Sequence, residues 1–345
     1  MRLRRHAMAA LAAAGVLMLT ACGGGNTAST QAAAGGDAAS GEQTFNLKLS
    51  HGLAEDHAVH IQMTAWAEDV KEKSGGTINI EVVPNAQLGS EADNISSIQA
   101  GALDMAKVSA STLGNFNEAW NVLSVPYLFN DQAHFYKVMD GDIAKELYNI
   151  TEPDGFIGLT WLDSGARSFY TAKTPIRVPA DLHGLKIRTM DSQMAIDMMD
   201  ALGGSATVLS YSEIYTGMQQ GVIDGAENNI TAMRDHSDVT QYYSFDEHTR
   251  IPDVIVLSTK VWNQMSDNQK QIMQETAAAA TEEYKTRWAE FEEEVRTAAE
   301  GNGVTFVEDV DMAAFQEACQ PIYDNLKAEN PDIYTYVERI QAEAE

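Results

Sequence analysis

Short apolar segments alternate with amphipathic segments along most of this chain of 345 residues, and no other feature restricts the fold as strongly. Apolar residues recur every three or four positions in the amphipathic segments, which indicates helices, whereas the short apolar segments indicate strands. Strands that alternate with helices are typical of an α/β fold. The strands are predicted in NLKLSHGL, TINIEVV, LDMAKVSA, GFIGLTWLD, GLKIRT, ATVLS and GVIDGAENN.

Capping residues predict where several helices begin. Ser90, followed three positions later by Asp93, forms a capping-box pattern at the start of one helix. Asp191 is expected to be the N-cap of another helix. A single helix is predicted from about residue 132 to residue 148.

The segment from Ser266 to about Glu300 is predicted to be one very long helix. Its length would be on the order of 50 Å, because an α-helix rises about 1.5 Å per residue, and one small lobe is narrower than that. We therefore predict two α/β lobes, with this helix spanning both. The apolar stripe of the helix consists of Ile272, Thr276, Ala280, Tyr284, Trp288, Phe291 and Val295. Lobe I is assigned residues 45–164 and 253–293, and lobe II is assigned residues 165–252 and 294–345.

The N-terminus has the pattern of a bacterial secretory signal. Residues 1–21 begin with arginines, continue through an apolar stretch and end on small residues before Cys22. The sequence Leu-Thr-Ala-Cys that ends there resembles the lipobox, so Cys22 is expected to be lipidated; an ordinary cleaved signal that leaves a free thiol is the alternative. Residues 22–44 lack large apolar side chains and are predicted to form a flexible tether. Cys319 is the only other cysteine, so no internal disulfide is expected. The signal and the lipobox-like sequence together predict an extracytoplasmic, lipid-anchored location.

The composition is strongly acidic, with 50 Asp and Glu against 23 Lys and Arg and a formal net charge of −27. This charge opposes binding to nucleic acid or to an anionic membrane surface, so membrane contact is expected through the lipid anchor alone. A small anion can still bind, because salt screens the net charge over about 8 Å and nearby cations then decide the outcome.

No sequence motif for catalysis is present: there is no nucleophile elbow, zinc-protease motif, CxxC, P-loop or dinucleotide-binding loop. No catalytic residue, cofactor or metal is therefore predicted. His51, His57 and His60 come nearest to a metal site, but no ligand set completes it. We expect these histidines to line a loop or cap a helix, and His51 to contact a ligand. The acidic run Glu292–Glu294 is interpreted as a solvated helix face.

Two arginines occur near predicted strand ends, Arg167 in WLDSGARSFYT and Arg188 in GLKIRTM. Ligands of open α/β sheets bind where strands end. A guanidinium forms two parallel charge-assisted bonds to a carboxylate, a geometry that lysine cannot match. Together with Asn228, at the end of GVIDGAENN, the two arginines could form a carboxylate clamp. The alternative is that either arginine forms a structural ion pair with one of the many carboxylates.

Seven stretches of the chain resemble, in the same order, the extracytoplasmic solute receptors of tripartite ATP-independent periplasmic (TRAP) transporters. The resemblance extends from about Phe45 to Lys327. The stretches are VVPNAQLGSE, GALDMA, VPYLF, SGARSFYT, ADLHGLKIRTM, ALGGSATVLSYSEIYTGMQQGVIDGAENN and VLSTKVWNQMS. The resemblance implies a two-lobe fold like that of periplasmic binding proteins, with a ligand cleft between the lobes. It also implies that Arg188 binds the substrate carboxylate in bidentate fashion, with Arg167 and Asn228 beside it.

The same resemblance implies further ligand contacts. Tyr211 would lie against the carbon chain of the substrate, unless it is a core tyrosine. Ser109 would contact the distal end of the ligand. Glu247 and His248 are weaker candidates for recognising hydroxyl groups, and an inter-lobe structural pair is an equal alternative for them.

The resemblance implies a binding protein and not an enzyme, a monomer that captures a small organic acid anion and delivers it to the TRAP membrane subunits. Many dicarboxylate and sialic acid receptors carry Glu-Asn-Pro where this chain has Glu-Asn-Asn at residues 227–229. This variant resembles receptors for sugar acids, so we expect a uronate first and a C4-dicarboxylate second. The alternatives are a solute-binding lipoprotein of an ATP-driven importer and a lipid-anchored hydrolase, for which no pair of nucleophile and base is found.

Overall fold

The computed structural model describes residues 42–344, so the predicted signal peptide, Cys22 and most of the tether lie outside the described residues. The strands are β1 (Phe45–Ser50), β2 (Ile78–Val83), β3 (Met105–Ser109), β4 (Phe156–Leu162), β5 (Arg167–Thr171), β6 (Lys186–Thr189), β7 (Ser205–Val208), β8 (Gly225–Asn228), β9 (Tyr242–Thr249), β10 (Asp253–Ser258) and β11 (Thr305–Val307). The helices are α1 (Ala58–Lys73), α2 (Glu91–Ala100), α3 (Ala110–Leu113), α4 (Gln132–Met139), α5 (Asp142–Ile150), α6 (Gln193–Leu202), α7 (Ile214–Gln219), α8 (Met233–His236), α9 (Thr259–Trp262), α10 (Asp267–Gly301), α11 (Met312–Glu329) and α12 (Pro331–Ala342). The predicted α/β fold is confirmed.

The strands form two sheets, and each sheet is the centre of one lobe. Lobe I contains five strands in the order β2-β1-β3-β10-β4, and lobe II contains six in the order β11-β9-β5-β8-β6-β7. In lobe I, β10 runs antiparallel to its neighbours β3 and β4. Both β3 and β10 are buried along their whole length, as expected for strands that are covered on both faces.

The chain crosses between the sheets three times near the cleft. Two crossings are short, between β4 and β5 and between β9 and β10, and the third is α10. This helix contacts α1 and β4 of lobe I and α8 of lobe II. Its side chains Tyr284 and Trp288 pack in one hydrophobic core, while Val295 and Ala299 pack in another. The prediction of one long helix spanning both lobes is therefore confirmed.

The C-terminal helix α12 packs beside lobe I. It contacts the 3₁₀ segment Glu118–Ser124, and the ring of His134 lies with Nε2 2.8 Å from the carbonyl oxygen of Ile340. Arg339 forms a bidentate pair with Glu146 at 2.7 and 2.8 Å. These contacts join α12 to lobe I, although residues 294–345 were assigned to lobe II.

Local predictions of helix boundaries have mixed outcomes. The capping box of Ser90 and Asp93 is present at the start of α2. The helix predicted from residue 132 to 148 is instead two helices, α4 and α5, which are separated at Asp140 and Gly141. The N-cap of α6 is Ser192, not Asp191, and its side chain makes no capping hydrogen bond.

No helix within residues 42–344 combines the length and the apolar character that crossing a membrane requires.

Candidate functional site

A cavity of about 720 Å³ lies between the two lobes and is lined by residues from both. Five of the eight predicted ligand contacts line it: Ser109, Arg167, Arg188, Tyr211 and Asn228. The other three, His51, Glu247 and His248, do not. The lining also includes charged and polar residues that were not predicted as ligand contacts, among them His57, Glu91, Lys107 and Asp253.

Strand register brings the lobe II residues together. Strand β5 is antiparallel to β8, so its first residue, Arg167, lies at the same edge of the sheet as Asn228, the last residue of β8. Strand β6 is parallel to β8, and Arg188 pairs with Ala226. Because alternate residues of a strand share a face, Ala226 and Asn228 point to the same side of the sheet. Three neighbouring strands thus place two guanidinium groups and one amide at a single edge.

Arg167 is almost fully engaged by protein groups. Its Nε and Nη2 donate to the two carboxylate oxygens of Glu227 at 2.7 and 3.0 Å, and Nη2 also donates to the Glu227 carbonyl oxygen. Its Nη1 donates to Oδ1 of Asn228 at 2.7 Å. A guanidinium has five N–H groups, so one of them is left without a partner within residues 42–344. The structural ion pair, which the sequence left open for this arginine, is present.

Arg188 has a different environment. Its Nε donates to the carbonyl oxygen of Leu209 at 2.8 Å, and this is its only hydrogen bond to any residue in the described part of the chain. None of the ion pairs within residues 42–344 includes it, although its exposed fraction is only 4 %. Burial lowers the pKa of Arg188 below its usual value, as expected for a charge that has little compensation. Both Nη atoms of this buried cation are therefore free to bind an anion.

Asn228 and Tyr211 complete the lobe II wall. Asn228 Oδ1 accepts from Arg167 and from the backbone N–H of Asn229, which leaves its Nδ2 without a partner among the described residues. Tyr211 belongs to a short 3₁₀ segment, and its hydroxyl donates to Asp235 at 2.9 Å. The tyrosine is half-buried: it lines the cavity and also packs against the hydrophobic core of lobe II.

The lobe I wall is built around a buried lysine. Lys107 Nζ lies 3.0 Å from both Glu91 and Asp253. Burial would lower the pKa of Lys107, but the two carboxylates raise it above its usual value, so the lysine is charged. Glu91 also accepts from the backbone N–H of Ser109 and from the hydroxyl of Thr112. The wall therefore presents two carboxylates for one ammonium group.

His51 supports the cavity from behind instead of lining it. Its Nδ1 accepts from the backbone N–H of Leu53, so its Nε2 carries the proton that points to His60 Nδ1 at 3.0 Å. Burial, together with nearby cations, lowers the pKa of His51 to about 3, which keeps the ring neutral. The loop that it holds, Gly52 and Leu53, does line the cavity.

His57 lines the cavity and is the N-cap of α1, where its Nδ1 accepts from the backbone N–H of Val59. The expectation that one of these histidines caps a helix is confirmed for His57. No group of three or more His, Cys, Asp or Glu residues within residues 42–344 is arranged to hold a metal ion.

Glu247 and His248 lie outside the cavity wall. Glu247 is exposed, and its backbone has a φ of 44°, in the left-handed region, at a bulge opposite Ser168. His248 is fully buried between Asp246, 2.7 Å from its Nδ1, and Glu227, 3.2 Å from its Nε2. Burial would lower the pKa of His248, but these carboxylates raise it to about 9. Protonated His248 therefore helps Arg167 to compensate Glu227.

The interpretation of Glu292–Glu294 as a solvated face is wrong for its first residue. Glu292 is half-buried, and burial together with nearby Asp163 raises its pKa to about 7. The helical period explains the difference, because Glu292 follows Trp288 by one turn and so lies on the side of α10 that faces the crossing segment at Gly165.

Comparison with known proteins identifies the family. Residues 49–330 match the family described as bacterial extracellular solute-binding protein, family 7. The chain belongs to this family. Among its relatives, the uncharacterized protein YiiZ of Salmonella typhimurium is 42% identical over 279 residues, which cover 79% of this chain and 84% of YiiZ.

Solved structures of similar proteins agree with the fold described above. A TRAP periplasmic solute-binding protein of Anaerococcus prevotii, crystallised with D-glucuronate, is 32% identical with a TM-score of 0.84 and covers 87% of this chain and 98% of that one. A second, from a Sulfitobacter species with β-D-galacturonate, is 32% identical with a TM-score of 0.83 and covers 86% and 100%. The predictions of a TRAP solute receptor and of its two-lobe fold are confirmed.

Proposed function

We propose that this TRAP receptor captures a sugar acid, with a uronate favoured and a C4-dicarboxylate second. The carboxylate is bound by Arg188, with Asn228 and the remaining N–H of Arg167 beside it. The observation that carries the proposal is the environment of Arg188: a buried guanidinium that lines the cavity, with both Nη atoms free of partners within residues 42–344. A buried cation without compensation is costly, and a bound carboxylate removes that cost.

The opposite wall favours hydroxyl groups over a second carboxylate. Glu91 and Asp253 share one ammonium group, that of Lys107, so the wall has an excess of negative charge. Carboxylate oxygens accept hydrogen bonds from hydroxyl groups but repel another anion. A molecule with one carboxylate and several hydroxyls fits both walls. The similar proteins crystallised with D-glucuronate and β-D-galacturonate support the same class of ligand.

Capture requires no covalent step. The acid enters between the lobes, its carboxylate binds lobe II and its hydroxyl groups then contact lobe I, so the closed arrangement gains contacts that the open one lacks. Two charge-assisted bonds of about 1.5–3 kcal/mol each would supply a large part of the roughly 8 kcal/mol of micromolar binding. Release to the TRAP membrane subunits follows when the lobes open again.

Anchoring through a lipid on Cys22 is part of the proposal, with residues 22–44 as a tether to a monomeric body. The lipobox-like sequence at residues 19–22 supports it. Mass spectrometry of the protein extracted from membranes tests it: a diacylglyceryl modification on Cys22 is expected, and an unmodified, freely secreted protein would contradict the anchor.

Calorimetric titration with D-glucuronate, D-galacturonate, succinate and malate tests the ligand class. We expect micromolar or tighter binding of a uronate, and binding of the two diacids at least about tenfold weaker. The matched control is Arg188→Met, which removes the charge but keeps much of the apolar stem. Tighter binding of a diacid would replace the uronate by the second candidate, and turnover of a uronate ester or glycoside would contradict a receptor.

A further inference from the structure

Tyr211, in the wall of the ligand cavity, is connected by side-chain contacts to the opposite lobe. Its hydroxyl donates to Asp235 Oδ2 at 2.9 Å. The other oxygen of Asp235 accepts from Arg234 Nη1 at 2.8 Å. Arg234 Nη2 then forms an ion pair with Asp56. Three consecutive contacts, which join four residues, thus extend from the ligand cavity to Asp56.

The last contact of this series crosses between the lobes. Asp56 immediately precedes the N-cap of α1 in lobe I, whereas Arg234 lies on α8, which follows β8 in lobe II. Both residues line a second cavity of about 390 Å³, bounded by α1, α8 and α10. Opening of the lobes would therefore separate Asp56 from Arg234.

The segment that carries Arg234 is also joined to the ligand cavity through its backbone and its aromatic packing. Thr231 and Ala232, which directly precede α8, line the ligand cavity. The ring centroids of Tyr211 and of His236, the last residue of α8, are 5.2 Å apart. Nδ1 of His236 lies 2.9 Å from the hydroxyl oxygen of buried Tyr170. Tyr211 is thus joined to α8 both by ring contact with His236 and by its hydrogen bond to Asp235.

We propose that Asp235 is a positioning residue that holds both Tyr211 and Arg234, and that the Asp56–Arg234 ion pair is a latch coupled to ligand contact at Tyr211. A ligand that packs on Tyr211 fixes Asp235, which orders the guanidinium of Arg234 for Asp56. The latch therefore stabilises the closed arrangement more when the cavity is occupied. This inference rests on the proposed function, since it needs a ligand in the cavity.

The size of the effect follows from exposure. The side chain of Asp56 is 74% exposed and that of Arg234 23%, so the pair is screened by water and salt. An exposed pair shifts an equilibrium by a few-fold at most. A shift of that size changes the fraction of closed receptor measurably when the open and closed arrangements are both populated.

The experiment uses the full chain, extracted in detergent, with spin labels on the exposed residues of Glu72→Cys and Lys186→Cys, one in each lobe. Pulsed electron resonance measures the distance between the labels with and without D-glucuronate, and calorimetry measures affinity. Asp56→Asn should lower the closed fraction and weaken D-glucuronate binding about threefold. The matched control is Asp69→Asn, which removes an ion pair with Lys73 inside α1 and should leave both readings unchanged.

Coupling to the ligand is tested by a double-mutant cycle. In a Tyr211→Phe background, which lacks the hydroxyl that holds Asp235, Asp56→Asn should have less effect on affinity than in the wild type. Asp235→Asn should reproduce the loss seen with Asp56→Asn. Effects that add, or an Asp56→Asn variant that behaves like Asp69→Asn, would overturn the proposal.

A failure of the proposed function has a separate signature. If wild-type protein bound neither D-glucuronate nor D-galacturonate, the ligand class would be wrong. The label distances of ligand-free protein would still test the ion pair, because Asp56→Asn should widen the distribution even without a ligand. Identical ligand-free distributions for the wild type and Asp56→Asn would overturn the latch.

Discussion

Arg167 and Arg188 lie on two strands of the same sheet, both are buried and both line the same cavity. They differ in what surrounds their guanidinium groups. Arg167 is held by both carboxylate oxygens of Glu227 and by Asn228, whereas Arg188 donates only to a backbone carbonyl within the described residues. One arginine is part of a compensated network, and the other is a cation in need of an anion.

Two arginines of similar sequence context can therefore have separate roles. Arg167 anchors the buried chain of Asp246, His248 and Glu227, which fixes the edge of the sheet and the position of Asn228. In our proposal, Arg188 binds the ligand at the sheet edge that this network holds in place. Preorganised donors bind an anion more strongly because little ordering remains to be done.

The largest expected effect is on binding. Arg188→Met should weaken D-glucuronate binding by at least about 100-fold, because it removes two charge-assisted bonds of about 1.5–3 kcal/mol each. The ligand-free variant should be at least as stable as the wild type, since the substitution removes a poorly compensated buried charge. Calorimetric titration and thermal unfolding measure the two results, and unchanged affinity would contradict the clamp.

The same substitution at the other arginine should act mainly on stability. Arg167→Met leaves Glu227 buried without its main partner, and breaking a buried pair costs about 3–5 kcal/mol. Denaturant unfolding of ligand-free protein measures this loss. Arg167→Met and Arg188→Met with equal stabilities would show that the two environments do not differ as described.

The buried network of Arg167, Glu227, His248 and Asp246 should make the free energy of unfolding depend on pH. The folded-state pKa of His248 is raised to about 9, so its contribution is complete below the ordinary value of 6.5 and is lost as the pH rises through 9. This predicts that the free energy of unfolding falls by on the order of 3 kcal/mol between pH 6.5 and 10. His248→Gln should flatten the profile in that range, and a wild-type profile with no fall there would contradict the charge assigned to His248.

The pKa of Glu227 predicts a loss of stability on the acidic side of the pH profile. Burial would raise it, but Arg167 and His248 lower it to about 2. Its stabilisation is present above the ordinary value of 4.5 and is lost as the pH falls toward 2. Glu227→Gln should reduce that acid-dependent loss.

The smallest expected effect is a partial recovery of ligand affinity when Arg167 is released from Glu227 to bind the anion in place of Arg188. Glu227→Gln, made in the Arg188→Met background, leaves Arg167 without a carboxylate partner and so more available to an anion. D-glucuronate affinity should recover about fivefold to tenfold relative to Arg188→Met alone, which is about 1 kcal/mol. No recovery would mean that Arg167 cannot reach the ligand even when it is released.

The order of elements was predictable because hydrophobic period and capping residues are local signals. The capping box at Ser90 and the length of α10 are examples. The break at Asp140 and Gly141 was missed, since an acidic residue and one glycine interrupt an otherwise helical period only weakly. The position of α12 depends on contacts with distant residues, which period alone does not encode.

The site was predictable at Arg167 and Arg188, because a guanidinium near a strand end matches the geometry of a carboxylate. The site was not predictable where the role of a residue depends on partners that are distant in the sequence. Lys107 is one lysine among many in sequence, and only folding places it between Glu91 and Asp253. His51 and His57 are similar in sequence, but the start of α1 turns His57 toward the cavity and leaves His51 behind the loop.

A crystal structure of the complex with D-glucuronate tests the central claim most directly. We predict that the two carboxylate oxygens of the ligand lie about 2.8 Å from Nη1 and Nη2 of Arg188, while Arg167 stays paired with Glu227. A carboxylate bound at Lys107 with Arg188 turned away, or one held by an Arg167 that has left Glu227, would contradict it.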